Sequence, residues 1–402
     1  MPSNLKSALL KRYSFLFPPA IGLLCMAFLY TASAEEIEIT FTNLLDNTAQ
    51  RAIVYVPEAC KGTNAPLLII THYMSGDRFT AKKLGYYPEC EKRGWLLACP
   101  ELHGHRTPGQ TSLAALEAQH DVVDLVRHMQ NNYKVDATRI YLAGRSMGGM
   151  LGLVTAAKYP QLFAAVVAGQ PLTDLAEWMK SASAALRQTT EKECGECTNA
   201  NLFEYQRRSA ISYAPNFKYV PVILWHGSND PLVAPEHSEK LTGAIRSFYR
   251  FQPGVNWYHG GGHNGLNFPP AWICDQLQYY VNTCDGKMTA KTRFYPELNL
   301  VFDEPLEIFW LAVTPAQSNA FARVEARLQD GALILKASRA SRVSVNLDKV
   351  IKELTISKYS VSTDTPLELT LRANNTETFK AACEKEASGE IKSSAPAKAG
   401  TP

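Results

Sequence analysis

Ile140-Tyr141-Leu142-Ala143-Gly144-Arg145-Ser146-Met147-Gly148-Gly149-Met150 is the stretch on which the fold turns. Its first four residues form an apolar run of strand character, and 147–158 reads as a helix opened by glycines. Between them stands Gly-x-Ser-x-Gly. A chain that reverses this tightly from strand to helix leaves no space for side chains beside the turn, which accounts for the glycines. Ser146 is then held at a helix N-terminus, where free amides and the helix dipole favour negative charge near an attacking oxygen. The context predicts a nucleophile.

A serine hydroxyl is a weak nucleophile at neutral pH, so it needs a base, and the base needs a group to orient it. Both occur further along the chain. The run Val222-Ile223-Leu224-Trp225 leads into His226-Gly227-Ser228-Asn229-Asp230, which puts Asp230 in a loop at the C-terminal end of a strand. Val255-Asn256-Trp257-Tyr258 leads into Gly260-Gly261-Gly262-His263, a loop able to carry an imidazole to the serine. The expected set is Ser146 as nucleophile, His263 as base and Asp230 as its carboxylate partner. Less well placed are Asn229, His226 at a strand end, and His103 and His105, which read as surface turn residues.

Working outward, residues 36–285 alternate short β-branched runs with longer amphipathic ones, the rhythm of an α/β, doubly wound, mostly parallel sheet covered by helices. Runs 36–42 and 51–56 read as an opening antiparallel pair, and 67–71, 95–99, 139–143, 163–168, 220–225 and 255–259 as inner strands. Residues 112–132 and 147–158 read as helices. The segment 171–215 is longer than an ordinary connection and is a candidate cap or a pair of surface helices. After Gly286 the pattern changes to short strands at 307–312, 323–328, 332–337, 343–347 and 367–371, a small β-rich C-terminal appendage. The expected organisation is therefore 1–34 leader, 35–285 catalytic, 286–380 β-rich, and 381–402 a disordered tail poor in residues that bury a core.

The leader reading rests on Lys6, Lys11 and Arg12, an apolar run over 21–30, and Ala32-Ser33-Ala34 before Glu35, the pattern of a secretory signal peptide. Pro18 and Pro19 leave the run short of a membrane span. Secretion or export to a periplasm, without stable membrane insertion after cleavage, is expected. The chain has 41 basic and 38 acidic residues; without the three basic leader residues the charges balance at 38 each, so a nucleic-acid partner is not expected. Of nine cysteines, eight remain after Cys25 leaves with the leader, an even number that suggests disulfides in an exported chain. Cys274 and Cys284 flank the last helix of this part and are candidates for a local bridge. Cys194-Gly-Glu-Cys197 has half the spacing of a zinc site but no second pair, so no metal is expected.

These motifs resemble the α/β-hydrolase superfamily, in its secreted esterase and prolyl-oligopeptidase-like branches, over about 49–282. Val135-Asp136-Ala137-Thr138-Arg139-Ile140-Tyr141 is similar to their lead-in to the nucleophile, and the stretch 323–361 resembles a β-rich appendage of some secreted bacterial hydrolases. The resemblance carries the nucleophile to Ser146, the acid to Asp230 and the base to His263. It implies two oxyanion donors, the Met147 amide and a group from Thr71-His72-Tyr73-Met74, where Tyr73 replaces a usual glycine; that donor is the Tyr73 or Met74 amide, or the Tyr73 hydroxyl. The activity implied is a serine hydrolase acting on a small or polymeric carboxylic ester through an acyl-enzyme, with no cofactor. A prolyl-oligopeptidase-like peptidase and a non-catalytic binding protein on the same scaffold are the alternatives, the first disfavoured by the short stretch from Glu36 to Arg51, the second by the completeness of the triad.

Overall fold

The computed structural model describes residues 33–104, 113–248, 254–264, 268–281, 294–350 and 356–391. The leader, His105 and Cys284 lie outside these residues. An eight-stranded sheet forms from β1 (Glu35–Thr42), β2 (Ala49–Val56), β3 (Ala65–Thr71), β4 (Leu96–Pro100), β5 (Val135–Arg145), β6 (Ala165–Gly169), β7 (Val222–Gly227) and β8 (Val255–Tyr258), in spatial order β1-β2-β4-β3-β5-β6-β7-β8. β1 and β2 pair antiparallel with each other, and β2 antiparallel with β4; all later neighbours are parallel. Every side chain of β3, β4 and β6 is buried, as expected of strands covered on both faces. One face packs on the helices Leu116–Asn132 and Met147–Lys158, the other on Tyr86–Arg93 and Pro270–Leu277.

The β-rich region is a sandwich of two five-stranded sheets enclosing a single apolar core. One contains β9 (Glu297–Phe302), β12 (Ala322–Gln329), β13 (Ala332–Ser338), β15 (Lys358–Thr363) and β18 (Glu386–Glu390). The other contains β10 (Leu306–Ile308), β11 (Leu311–Pro315), β14 (Ala340–Asn346), β16 (Leu367–Ala373) and β17 (Thr376–Cys383). Two expectations are corrected. The single strand at 307–312 is a hairpin turning at Phe309, whose φ of 56° no strand residue adopts. The tail does not start at 381: β17 runs through Cys383, and β18 pairs antiparallel with β15 and lays Ala387 against the core. A strand this polar is held by backbone pairing, which composition does not record. Trp310 is 1% exposed and belongs to the core.

The sandwich is fastened to the hydrolase sheet by a buried ionic cluster. Lys158, the last residue of the helix that begins at Met147, places its ammonium 2.9 Å from Asp303 and 2.5 Å from Glu304. Arg207 pairs with the same Asp303 at 2.9 Å. Burial opposes ionisation of Asp303, but the two cations hold its carboxyl below the usual range. Beside the cluster, Asn216 donates to the carbonyls of Ala157 and Val301 and accepts from the Val301 amide, so helix and β9 share one amide side chain.

Candidate active site

The turn after β5 is as tight as its glycines require. Ser146 has φ 55° and ψ −124°, a conformation that non-glycine residues hold only when their surroundings impose it. A Cβ on Gly148 would stand 2.2 Å from the Thr71 carbonyl oxygen, and one on Gly144 would stand 2.3 Å from Thr71 Oγ1. The Thr71 hydroxyl donates to the Gly148 carbonyl at 2.8 Å. The end of β3 is thereby locked against the turn, with the segment 72–76 beside the serine.

Three side chains from separate loops meet here. Ser146 Oγ is 3.0 Å from His263 Nε2, and His263 Nδ1 is 2.7 Å from Asp230 Oδ2. With Nδ1–H donating to the carboxylate, Nε2 is left to accept the serine proton. Asp230 Oδ1 accepts the amides of Leu232 and Val233, both at 2.9 Å. Burial alone would raise the Asp230 carboxyl, but the imidazoles of His226 and His263 and the Val233 amide hold it well below the usual range. It is an anion throughout the working range of such a site. Of the two imidazoles the geometry favours His263: His226 Nε2 is 3.5 Å from the carboxylate and bonds instead to the Val233 carbonyl at 3.0 Å, with Nδ1 on the Ser238 hydroxyl at 2.8 Å. His226 shapes the loop that carries Asp230.

Gln170 was invisible in the sequence reading. It follows β6 with φ 46°, is wholly buried, and its Nε2 donates to Asp230 Oδ2 at 2.9 Å and to the Gly262 carbonyl at 2.8 Å. One amide therefore fixes both the carboxylate and the backbone preceding His263. Gln170→Ala is expected to lower kcat about tenfold to a hundredfold with KM changed less than threefold, since misplacing an orienting group costs rate more than ground-state binding. Steady-state kinetics on a chromogenic ester checks this, and an unchanged kcat would refute the positioning role.

Of the oxyanion candidates, Met147 is the first residue of its helix, where an amide has no partner within the helix. The Tyr73 carbonyl is held by the Gly76 amide and His72 Nδ1, at 2.8 and 2.9 Å. The trans peptide then turns the Met74 N–H to the opposite side from that carbonyl. The Tyr73 ring lies under the Arg145 guanidinium, 5.0 Å from its centroid. His103 lies elsewhere: it bridges Asp121 at 2.8 Å and Asp46 at 3.1 Å, tying the β1–β2 turn to the helix Leu116–Asn132. The cysteines among the described residues are thiols, Cys197 exposed and the rest buried, which corrects the disulfide expectation for these residues. Asn229 donates its backbone amide to the Gly261 carbonyl at 2.9 Å, joining the two loops.

A small cavity of about 30 Å³ lies against Gly144 and Arg145, just before the serine, with Tyr73, Tyr86, Trp225 and Phe268 among its walls. Residues 171–215 contribute nothing to its lining among the described residues. That segment is instead built into the body, with Trp178 buried and bonded to the Leu232 carbonyl at 2.8 Å.

In the first turn of the helix Glu236–Arg246, His237 is buried and its proton affinity is pushed down to about 4, chiefly by desolvation. The unfolded chain takes up this proton near pH 6.5 while the folded one does not, so stability falls as pH drops from 6.5 toward 4. The loss from this group approaches roughly 3 kcal/mol. His237→Gln is expected to flatten urea-unfolding midpoints over that window; an unaltered slope would place the acid sensitivity elsewhere.

The model of the prolyl oligopeptidase family matches residues 108–286. The chain is 29% identical over 144 residues to poly(3-hydroxyalkanoate) depolymerase C of Paucimonas lemoignei, covering 35% of this chain and 33% of that one. It is 28% identical over 130 residues to acetylxylan esterase A of Emericella nidulans, covering 29% and 40%. The aligned parts thus span less than half the length of either relative. A solved structure from a study of two prolyl endopeptidases superposes with TM-score 0.50 at 17% identity, covering 61% of this chain and 37% of that one. The fold is that of the α/β-hydrolases, with a serine, a histidine and a carboxylate in hydrogen-bonded sequence at its site. The relatives that the chain resembles are named as both esterases and peptidases.

Proposed function

We propose that the protein is an exported carboxylic ester hydrolase. The observation that carries the reading is the continuous line Ser146–His263–Asp230, at 3.0 and 2.7 Å. Ser146 Oγ attacks the ester carbonyl as its proton passes to His263 Nε2, and Asp230 stabilises the imidazolium. The developing oxyanion lies against the Met147 amide and a donor from 73–74. Collapse of the tetrahedral intermediate expels the alcohol with the proton from His263. Water, activated by the same imidazole, then releases the acid and restores Ser146. Export is supported by the composition of residues 1–34.

The cavity against Gly144 and Arg145, the residues preceding the nucleophile, has room for a methyl- or ethyl-sized group, which favours short acyl esters. The name of the acetylxylan esterase points the same way. kcat/KM on p-nitrophenyl esters is expected to fall at least tenfold from acetate to octanoate. The family match favours a second reading as a peptidase. Hydrolysis of Pro- or Ala-nitroanilide at rates matching those of p-nitrophenyl acetate would establish it in place of the esterase.

A further inference from the structure

The outer face of the sheet β10-β11-β14-β16-β17 has an unusual floor. Across it, direct pairing aligns Glu307, Ala312, Ser344, Thr370 and Lys380 in one transverse row. The three central positions are small, although long polar side chains ordinarily cover a solvated sheet face. On one side the row is walled by Arg342 and Glu368, bonded at 2.8 Å, with Lys380 reaching the same Glu368 at 2.5 Å. On the other stand Arg372 and Glu377, paired across strands. Two residues along a strand in each direction separate these walls, about 13 Å in all. The result is a groove of about 440 Å³ running across the strands, within the size range of ligand sites.

Ser344 lines this groove at 5% exposure, and its hydroxyl has no hydrogen-bond partner among the described residues. Buried hydroxyls are nearly always satisfied, so this one points to a ligand group. We infer that the groove is a binding site for a neutral polysaccharide chain, distinct from the site at Ser146. The charges select that chemistry. Three lining cations, Arg342, Arg372 and Lys380, face the three carboxylates Glu307, Glu368 and Glu377, with Lys349 bonded to Glu307 at 2.8 Å from outside the lining, so the groove has no strong net charge to draw in a polyanion. Paired guanidinium and carboxylate groups offer adjacent donors and acceptors, which suit the vicinal hydroxyls of a sugar. No aromatic side chain lines the groove, and recognition would rest on hydrogen bonds, not stacking. An open trough of single-chain width across the strands suits a polymer rather than a monosaccharide.

The test is affinity electrophoresis of the full chain carrying Ser146→Ala, in native gels containing wheat arabinoxylan, hydroxyethylcellulose or galactomannan, with polygalacturonate as an anionic control. Because the nucleophile is absent, the outcome is independent of the esterase reading. Retardation is expected with at least one neutral polymer, and Ser344→Val and the rim variant Arg372→Ala should each weaken it about tenfold. In the Ser146 background, both variants should leave ester hydrolysis unchanged. Arg372→Ala, at a half-exposed position, keeps the test valid if Ser344→Val does not fold. The inference falls if no neutral polymer retards the protein, if polygalacturonate alone does, or if folded groove variants are retarded as strongly as their parent.

Discussion

Ser146→Ala is expected to lower kcat on p-nitrophenyl acetate by roughly 10⁴- to 10⁶-fold, the scale on which loss of an activated serine is felt. Ser146 is already at positive φ, and alanine keeps the same backbone cost, so the urea midpoint should not move. His263→Ala should cost a similar factor. The double variant should lose little more than either single one, because nucleophile and base act as one unit. Additive losses, or turnover above a tenth of wild type in Ser146→Ala, would place the chemistry elsewhere. A fluorophosphonate probe gives an independent readout: its adduct should map to the peptide containing Ser146 and be absent from the variant.

The second large effect is on stability. Lys158→Ala removes the ammonium that Asp303 and Glu304 share while both carboxylates stay in place, Asp303 almost entirely buried. Removing one partner of a buried ion pair costs about 3–5 kcal/mol; Arg207 still faces Asp303 at 2.9 Å, so the fall in the urea midpoint should correspond to the lower end of that range. Lys240→Ala, which breaks the exposed pair with Glu177, is the internal comparison. Solvent and salt screen that pair, and no measurable change is expected. If the two variants behave alike, the cluster is not as desolvated as its burial indicates. Lys158→Met should fall between them, since the lost charge is partly offset by an apolar chain of matching length.

The part of this site that the sequence revealed is the part encoded locally. Ser146 announces itself because a strand, a glycine-bracketed turn and a helix are contiguous, and the helix begins at Met147 and ends at Lys158 as read. Asp230 and His263 each follow a short apolar strand directly. Gln170 has no such signature: its role lies in two hydrogen bonds to residues 60 and 92 positions away. His103 was read as a surface turn residue, whereas its two carboxylate partners make it a clasp between distant elements. The last strand escaped because Glu386–Glu390 has almost no apolar residues to mark a period, and β9, β15 and β17 were missed as well. The cluster at Lys158 was equally hidden, since a lysine at the end of a helix reads as solvated.

That cluster also bears on descent. Half of its charges come from the hydrolase part and half from the strand connection of the sandwich, and neither half is tolerable alone in a dry interior. Loss of the sandwich would therefore leave Lys158 without its carboxylate partners. Any homologue that lacks the sandwich should have an apolar or solvent-facing residue where this chain has Lys158, and should have lost Arg207 with it. A homologue with the sandwich should keep both cations or change Asp303 in step.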